Sequence, residues 1–184
     1  MRRADRDLGG IEMVIANAGR NKHRHAARLG WDDVKYVLDV NVQGAIATLL
    51  AAIPILLARQ KGHLVGISSQ AGRRGLPAGA AYGASKAALT IFLESLRIDL
   101  GPAAVRVTDV QPGFVHTPLT AQSTHPLPFV WPVDRAARHI ARRLERAPAV
   151  IAFPGPTVLA MSLARLLPAP IYDRIIRSLY GSRG

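Results

Sequence analysis

Hydrophobic positions along the chain alternate between short continuous runs and longer stretches with helical spacing. The short runs are rich in branched residues and end in polar or turn residues, which predicts buried β-strands. They cover residues 11–16, 63–68, 104–111 and 149–153. Helical spacing predicts helices from Trp31 to about Arg59, with a kink at Pro54, from residue 80 to about Leu100, and over residues 133–147. Two shorter apolar helices follow the last strand.

Strands and helices therefore alternate along the sequence. Continuously apolar strands joined by crossover helices predict a parallel sheet with helices on both faces, an α/β fold of three layers. Right-handed crossovers bring the carboxyl ends of all strands to one edge of the sheet, where such folds bind their ligands. A chain of 184 residues is long enough for one domain of this kind, covering 1–184.

Glycine and polar residues collect at the predicted strand ends. They are Asn17, Ala18 and Gly19 after the first strand, Ser68 and Ser69 after the second, and Pro112 and Gly113 after the third. The packing of a sheet does not explain this placement. We therefore expect the ligand site at this edge.

The formal net charge of the chain is +12, and nearly all of the positive charge comes from arginine. A charge of this size is typical of proteins that bind nucleic acids or anionic membranes. The arginines are dispersed, however, and the densest group occupies the polar side of the helix predicted over residues 133–147. Aromatic residues are few and do not alternate with the arginines, so a platform for stacking bases is missing. We expect no nucleic-acid binding.

Composition also argues against metal chemistry and export. The sequence has no cysteine, and its six histidines show no ligand spacing, so neither a disulfide framework nor a metal site is expected. The basic start is not followed by the apolar stretch of a signal peptide. The two most apolar regions, residues 44–58 and 157–171, are too short to cross a bilayer, and each contains a proline. We expect a cytoplasmic protein.

A phenol and an ammonium group stand one helical turn apart in the segment AAYGASKAALTIFLESLR. Tyr82 and Lys86 project from the same face of the predicted helix, and the residues between them are small. Taken alone, the pair is compatible with a surface tyrosine beside a solvated lysine. Ser69 lies at the strand end just before this helix, so the fold can bring it close to Tyr82. An ammonium group next to a phenol lowers the pKa of the phenol, and a phenol tuned in this way can transfer a proton to or from a C–O group.

Five segments occur in an order that resembles the short-chain dehydrogenase/reductase family in its single-domain, Rossmann-like form. They are NAG, DVNVQG, GHLVGISS, YGASK and QPGFVHT, and together they span most of the chain from about Asp7 to Phe153. The resemblance implies that Tyr82 is the catalytic acid or base, that Lys86 lowers its pKa and binds the nicotinamide ribose, and that Ser69 orients the substrate oxygen. It also implies that Asn41 holds a water molecule in a proton relay to Lys86. Without the resemblance, an asparagine at this place in a helix is as readily explained by a hydrogen bond to its own helix backbone.

The resemblance further implies a nicotinamide cofactor, NAD or NADP, without a preference between them. Its adenosine half would lie along Asn17, Ala18 and Gly19, where Ala16 replaces the asparagine that is usual in the family. Its nicotinamide end would contact the residues that follow the third strand. These are Pro112, Gly113, Val115 and Thr117, together with Tyr82 and Lys86. Residues 113–132 match the variable substrate loop of the family, and their apolar side chains suggest a hydrophobic alcohol or ketone.

The predicted C-terminal helices, residues 154–184, are similar to apolar tails in some family members. Arginines flank their apolar stripes, so a helix that lies in a membrane interface is one interpretation. Packing over the substrate pocket or against another subunit is the commoner outcome and the one that we expect.

The long helix from Trp31 and the helix of Tyr82 are more apolar than one sheet face requires, and the resemblance implies that they pair in a homodimer or homotetramer.

One element of the family is not found in this sequence. Family members begin with a strand and a glycine-rich turn, T-G-x-x-x-G-x-G, whose backbone N–H groups hold the cofactor pyrophosphate. Here the first predicted strand corresponds to the fourth strand of the family, so the sequence is expected to be the catalytic two-thirds of a dehydrogenase. Met1 would then be an internal residue or a misassigned start. The chain is accordingly expected to be an NAD(P)-dependent oxidoreductase or, alternatively, a truncated and catalytically silent relative that serves as an interaction module or has lost its function.

Overall fold

The sheet of the protein has four parallel strands in the order in which they occur in the sequence. The structure is a computed structural model, and it describes residues 1–121 and 127–180. The strands are β1 (Met13–Ala16), β2 (Gly62–Ile67), β3 (Val105–Pro112) and β4 (Val150–Phe153). Each strand pairs in parallel with the next, with Met13 opposite His63, His63 opposite Arg106, and Val110 opposite Ile151. The prediction of a parallel α/β sheet is confirmed, and so is the number of strands among the described residues.

Helices connect the strands as the spacing of apolar residues predicts. In chain order they are α1 (Arg2–Asp7), α2 (Trp31–Leu38), α3 (Ala45–Arg59), α4 (Ala80–Leu100), α5 (Pro118–Ala121), α6 (Val133–Leu144), α7 (Gly155–Leu166) and α8 (Ala169–Tyr180). Short 3₁₀ turns occupy Ala26–Arg28, Gln70–Gly72 and Gly101–Ala103. Two segments predicted from the sequence extend outside the described residues, the substrate loop at 122–126 and the C-terminal helices at 181–184.

The helix between β1 and β2 is irregular at a place that the sequence did not indicate. Residues Asp39–Gly44 form a π-helical segment between α2 and α3, while Pro54 lies inside α3, which continues to Arg59. Short π-helical segments inside α-helices are rare and are frequent at functional sites. This one contains Asn41, whose side chain is fully buried.

The continuous helix Trp31–Arg59 is long and apolar enough to cross a membrane, judged by length and composition alone. The expectation that its apolar region is too short was therefore wrong, because it counted only residues 44–58. A single helix that passes this test is a weak indication, since core helices of soluble proteins pass it as well. Here α3 supplies Leu49 and Leu56 to the core, and both are fully buried.

Two clusters of buried side chains lie on opposite faces of the sheet. On one face α3 and α4 pack against β1, β2 and β3, with Leu49, Leu64 and Leu93 at the centre. On the other face α6 packs its Ala136 and Leu144 against β2, β3 and β4. The expectation of helices on both faces is confirmed for these strands.

Strand β1 is covered on one face only, contrary to the expectation of a buried strand. Val14 and Ala16 face α3 and are buried, whereas Met13 is 41% exposed and Ile15 is 47% exposed on the opposite face. The reason is its position at the end of the sheet, beyond the reach of α6. β1 is therefore an apolar edge strand.

A close approach of two backbones fixes the turn after β2 against α4. A Cβ atom added to Gly72 would lie 2.7 Å from the backbone nitrogen of Ala87, closer than real Cβ atoms come to their neighbours. Only glycine allows the turn Gln70–Gly72 to rest directly on the helix backbone. Because Ser69 caps this turn, the contact sets the position of Ser69 relative to α4.

Candidate active site

Ser69 and Tyr82 come together at the carboxyl edge of the sheet. Ser69 follows β2, where its hydroxyl accepts a hydrogen bond from the backbone of Ala71 at 3.1 Å and donates one to the carbonyl of Pro112 at 3.4 Å. The Ser69 side chain is also close enough to the phenol of Tyr82, in the first turn of α4, to influence its pKa. The strand end, the strand-end carbonyl of β3 and the helix start therefore meet at one point.

Lys86 lies one turn further along α4 and is buried, with 4% of its surface exposed. Its ammonium group donates a hydrogen bond to the carbonyl of Ile67 at 2.7 Å and stands 5.7 Å from the centre of the Tyr82 ring. Tyr82 and Lys86 share one face of the helix, as their spacing predicts, and that face points at the end of β2. The simple picture of a surface tyrosine beside a solvated lysine does not apply.

The pKa of the Tyr82 phenol differs from the value that the sequence predicts. Burial raises the pKa of the Tyr82 phenol above its ordinary value, and the neighbouring Ser69 hydroxyl offsets this only in part. A net lowering of the Tyr82 pKa, as the sequence predicts, is therefore not what the structure has, because desolvation of the phenolate dominates. Burial also lowers the pKa of the Lys86 ammonium to about 8, against the opposing influence of the Asp109 carboxylate. At neutral pH the phenol holds its proton.

Asn41 connects α4 with the segment that follows β1. Its amide group donates to the carbonyl of Arg20 and to the hydroxyl of Ser85, both at 2.9 Å, and its side-chain oxygen accepts from the backbone N–H of Arg20 at 2.7 Å. Ser85 in turn donates to the carbonyl of Tyr82 at 2.7 Å. The alternative of a hydrogen bond from Asn41 to its own helix is therefore not what the structure has. Asn41 holds the loop after β1 against the first turn of α4.

The segment Asn17–Gly19 reaches this cluster through its glycine. A Cβ atom added to Gly19 would lie 3.6 Å from both the Asn41 side-chain oxygen and the Lys86 ammonium nitrogen. Asn17 and Ala18 are exposed at the end of β1. Of the residues predicted to line the adenosine half of a cofactor, Gly19 is thus the one in contact distance of Lys86.

A sequence model described as short chain dehydrogenase matches residues 1–127. A relative from Myxococcus xanthus, an uncharacterized oxidoreductase, is 44% identical over 97% of this chain and 71% of its own length. The chain belongs to the short chain dehydrogenase family.

Other relatives in the family match a smaller part of their own length. An uncharacterized oxidoreductase of Mycobacterium tuberculosis is 36% identical over 80% of this chain, which spans 58% of that relative. The glycine betaine reductase ATRR of Emericella nidulans is 38% identical over 66% of this chain, which spans 10% of that relative.

Solved structures show the same fold at low sequence identity. A short chain dehydrogenase from Burkholderia cenocepacia, in complex with NADP, is 24% identical and aligns with a TM-score of 0.80 over 97% of this chain and 74% of that one. A xylitol dehydrogenase bound to NAD⁺ aligns with a TM-score of 0.72 over 84% of this chain and 72% of that one, also at 24% identity. The Rossmann-like α/β fold of the family is thereby confirmed for this chain.

The residues after β3 that the family resemblance singled out lie in two groups. Pro112 contacts Ser69 through its carbonyl, and Gly113 donates its backbone N–H to Phe153 at 2.7 Å. Val115 and Thr117 lie further along the loop, where both are tied to Thr120, whose hydroxyl donates to the carbonyl of Val115 at 2.6 Å. These hydrogen bonds stay within the loop, and Val115 also packs against the buried cluster under α6.

A buried polar network behind the short chain dehydrogenase site was missed by sequence reasoning. The Asp109 carboxylate accepts hydrogen bonds from the hydroxyl of Ser68 and, at 2.6 Å, from the side-chain amide of Gln111. Gln111 accepts from Arg73 at 2.6 Å, and Arg73 also donates to Ser162 on α7 at 3.0 Å. The available signal was an acidic residue inside the otherwise apolar run AVRVTDVQ, since a charge in a buried strand needs partners.

Proposed function

We propose that the chain carries the catalytic site of an NAD(P)-dependent oxidoreductase that interconverts a secondary alcohol and a ketone. The observation that supports this most directly is the convergence of a buried ammonium, a phenol and a hydroxyl at the carboxyl edge of a parallel sheet. Family membership supports the same reaction class. The solved relatives in complex with NADP and NAD⁺ support a nicotinamide cofactor.

The residues present fit the nicotinamide end of such a cofactor. Gly19 leaves open space beside Lys86 and Asn41 that a side chain would fill, and the buried ammonium of Lys86 has three N–H donors, of which the bond to Ile67 occupies one. Lys86 and the Gly19 segment would hold the nicotinamide ribose, and Pro112, Gly113, Val115 and Thr117 would line the nicotinamide. When bound, the cofactor supplies or accepts the hydride.

Tyr82 is the proposed acid in the direction of carbonyl reduction. Because its phenol is protonated at neutral pH, it can donate that proton to the carbonyl oxygen as the hydride reaches the carbonyl carbon. The C=O double bond then becomes a C–O–H group, and the phenol is left as phenolate. The Lys86 ammonium, with its pKa near 8, is predominantly charged at neutral pH and stabilises that phenolate.

Ser69 and Asn41 have supporting roles in this proposal. The Ser69 hydroxyl orients and polarises the substrate oxygen, and its influence on the pKa of Tyr82 favours the phenolate. Asn41 fixes the loop that carries Gly19 and would hold a water molecule in a relay that returns a proton to Lys86. The substrate class we propose is a hydrophobic ketone or alcohol, because the described part of the loop 113–132 presents Phe114, Leu119 and Leu127.

A catalytically silent relative is the second candidate function. The 184 residues contain no T-G-x-x-x-G-x-G segment, whose backbone N–H groups bind the cofactor pyrophosphate in the family, so these residues on their own would hold a cofactor weakly.

We further propose a homodimer or homotetramer formed through α3 and α4, because Leu50 on α3 and Ile91 and Ile98 on α4 are exposed aliphatic side chains. Light scattering on the purified protein tests this, and a monomer at micromolar concentration would contradict it.

The deciding experiment compares the chain alone with a fusion that carries the T-G-x-x-x-G-x-G segment of a family member ahead of Met1. Oxidation of NADH and NADPH is followed with a panel of hydrophobic ketones, for the fusion and for its Tyr82→Phe variant. We expect turnover by the fusion and its loss in the variant, with unchanged circular dichroism. A folded fusion that binds cofactor without any turnover would support the silent relative, and full activity of the variant would remove Tyr82 from the proposed role.

A further inference from the structure

The two C-terminal helices expose an apolar surface that the other residues described by the structure do not cover. On α7 the residues Leu159, Leu163 and Leu166 share one helix face and are between 56% and 80% exposed. On α8 the residues Ile171, Ile175 and Leu179 form a second stripe, between 43% and 69% exposed. We call these six side chains the tail surface. Clusters of exposed aliphatic residues of this kind mark interaction sites.

Side chains next to the tail surface hold both helices against the rest of the protein. On α7 the hydroxyl of Ser162 accepts from Arg73 at 3.0 Å, and the side chain of Thr157 is buried. On α8 the hydroxyl of Tyr172 donates to the carbonyl of Gly75, and the guanidinium of Arg74 lies 4.3 Å from the centre of the Tyr172 ring. These contacts fix one side of each helix and leave the six side chains of the tail surface exposed.

The charge carried by the two C-terminal helices is mainly positive. Residues 154–180 contain three arginines and one acidic residue, Asp173. All three arginines, Arg165, Arg174 and Arg177, are exposed. Asp173 approaches Arg177 at 3.9 Å with both side chains largely in solvent, a contact that neutralises little.

We propose that the tail surface docks on an anionic phospholipid bilayer, with its aliphatic side chains in the headgroup and acyl boundary and its arginines among the lipid phosphates. Amphipathic helices with aliphatic side chains on one face and arginines beside them bind in this way. Each basic residue near an anionic lipid surface adds to the attraction. The net charge of +12 on the whole chain acts in the same direction.

A second copy of the chain is a less suitable occupant. A contact related by a two-fold axis places the same surface of each copy against the other, so the arginines of both helices would face one another. The acidic residues available to offset them there are limited to Asp173 in residues 154–180. An anionic bilayer instead offers a negative partner to every arginine while it covers the leucines.

The first test is cosedimentation of the purified chain with vesicles of phosphatidylcholine alone and of phosphatidylcholine mixed with phosphatidylglycerol. We expect binding to the mixed vesicles that weakens as salt is added, and little binding to phosphatidylcholine. Equal binding to both vesicle types would overturn the electrostatic part of the proposal. Absence of binding to the mixed vesicles would overturn the proposal itself.

Matched variants locate the surface. The triple variant Leu159→Gln, Leu163→Gln, Leu166→Gln should weaken binding to mixed vesicles by on the order of 100-fold, because about three large apolar side chains lose their burial. The control Leu8→Gln, Val133→Gln, Val150→Gln removes three exposed aliphatic side chains away from both the tail surface and the proposed interface of α3 and α4, and it should bind like the parent chain. All substituted positions are exposed, so folding is preserved, and circular dichroism verifies this.

A second pair of variants distinguishes the effect of the arginines on α7 and α8 from the effect of the net charge of the whole chain. Arg165→Gln, Arg174→Gln, Arg177→Gln should weaken binding to mixed vesicles by roughly 10-fold to 100-fold. The control Arg138→Gln, Arg142→Gln, Arg143→Gln removes three exposed arginines of α6 and should have a much smaller effect. If the leucine triple instead changes the oligomeric state in light scattering and leaves vesicle binding intact, the tail surface is a contact between copies and the proposal is wrong.

Discussion

The hydroxyl of Ser68 donates a hydrogen bond to the carboxylate of Asp109, and this pairing gives the two adjacent serines different surroundings. Ser68 is buried, and its hydroxyl is held by that carboxylate. Ser69 lies beside Tyr82 and Pro112. The pairing leaves Ser69 as the serine that we propose for the substrate oxygen.

Replacing Asp109 by asparagine should lower the pKa of Lys86 further. Burial holds the pKa of the Lys86 ammonium near 8, and the negative charge of Asp109 is the influence that keeps it from falling lower. Near pH 8 about half of the parent chain should carry a charged Lys86, whereas the Asp109→Asn variant should be mostly neutral there. The chain has four lysines, so the titration can be followed by NMR of labelled lysine side chains.

Ser68→Ala serves as the control for this titration, because it removes the hydrogen bond but keeps the carboxylate. Its Lys86 should titrate close to the parent value. An unchanged pKa of Lys86 in Asp109→Asn would show that the carboxylate does not influence the ammonium.

Ser69→Ala should reduce turnover of the fusion described above by on the order of 100-fold, the usual effect of removing a positioned donor at a reacting oxygen. Ser68→Ala should have a much smaller effect on kcat, because the hydroxyl of Ser68 already donates its hydrogen bond to Asp109. Steady-state rates with one ketone and saturating cofactor measure both. The reverse order of effects would assign the substrate oxygen to Ser68.

The 184 residues by themselves should bind NADH and NADPH weakly. Each charge-assisted hydrogen bond from a backbone N–H to the pyrophosphate contributes roughly 1.5–3 kcal/mol, so the lack of two or three of them reduces affinity by several powers of ten. The contacts available at Lys86 and Gly19 do not replace them. Calorimetry and fluorescence titration measure the affinity, and micromolar binding with turnover would contradict the prediction.

We expect acid to destabilise the fold through His63, a buried histidine on β2. Its Nε2 atom lies 2.8 Å from the hydroxyl of Thr108, and burial lowers its pKa from 6.5 to about 4. Between those two pH values the unfolded chain binds a proton that the folded chain does not. The neutral ring therefore contributes stability that is fully present above pH 6.5 and is lost as the pH falls toward 4.

His63→Phe tests this because the hydroxyl of Thr108 keeps its bond to the carbonyl of Pro148 at 2.6 Å. Urea unfolding at pH 7 and pH 4.5 should show that the parent loses on the order of 2–3 kcal/mol more than the variant between the two conditions. His116→Gln, a change at an exposed histidine, should behave like the parent. Equal losses in the parent and in His63→Phe would contradict the prediction.

The order of strands and helices could be predicted because each has a strong local signal. The run HLVGIS is continuously apolar, and β2 proved to be almost fully buried. The spacing of Tyr82 and Lys86 placed both on one helix face because a helix has a fixed period. Signals of this kind come from residues that are close together in the sequence, so they do not depend on contacts with distant parts of the chain.

The properties that the sequence did not reveal depend on neighbours distant in the chain. The raised pKa of Tyr82 reflects how deeply the folded chain buries the phenol, and the type of residue does not indicate this. The side chain of Asn41 hydrogen-bonds to Ser85, which lies 44 residues later in the sequence. The π-helical segment that positions Asn41 has no distinctive sequence pattern.

The contact between Gly72 and the backbone of Ala87 has a consequence for how such a chain can diversify. The distance between Ser69 and the first turns of α4 is set by two main chains in contact, and side-chain substitutions in the loop 113–132 do not enter that contact. Changes in this loop can therefore alter which molecules are accepted while the spacing of the reacting groups stays constant. A methyl group at residue 72, in contrast, would alter that spacing for every substrate at once.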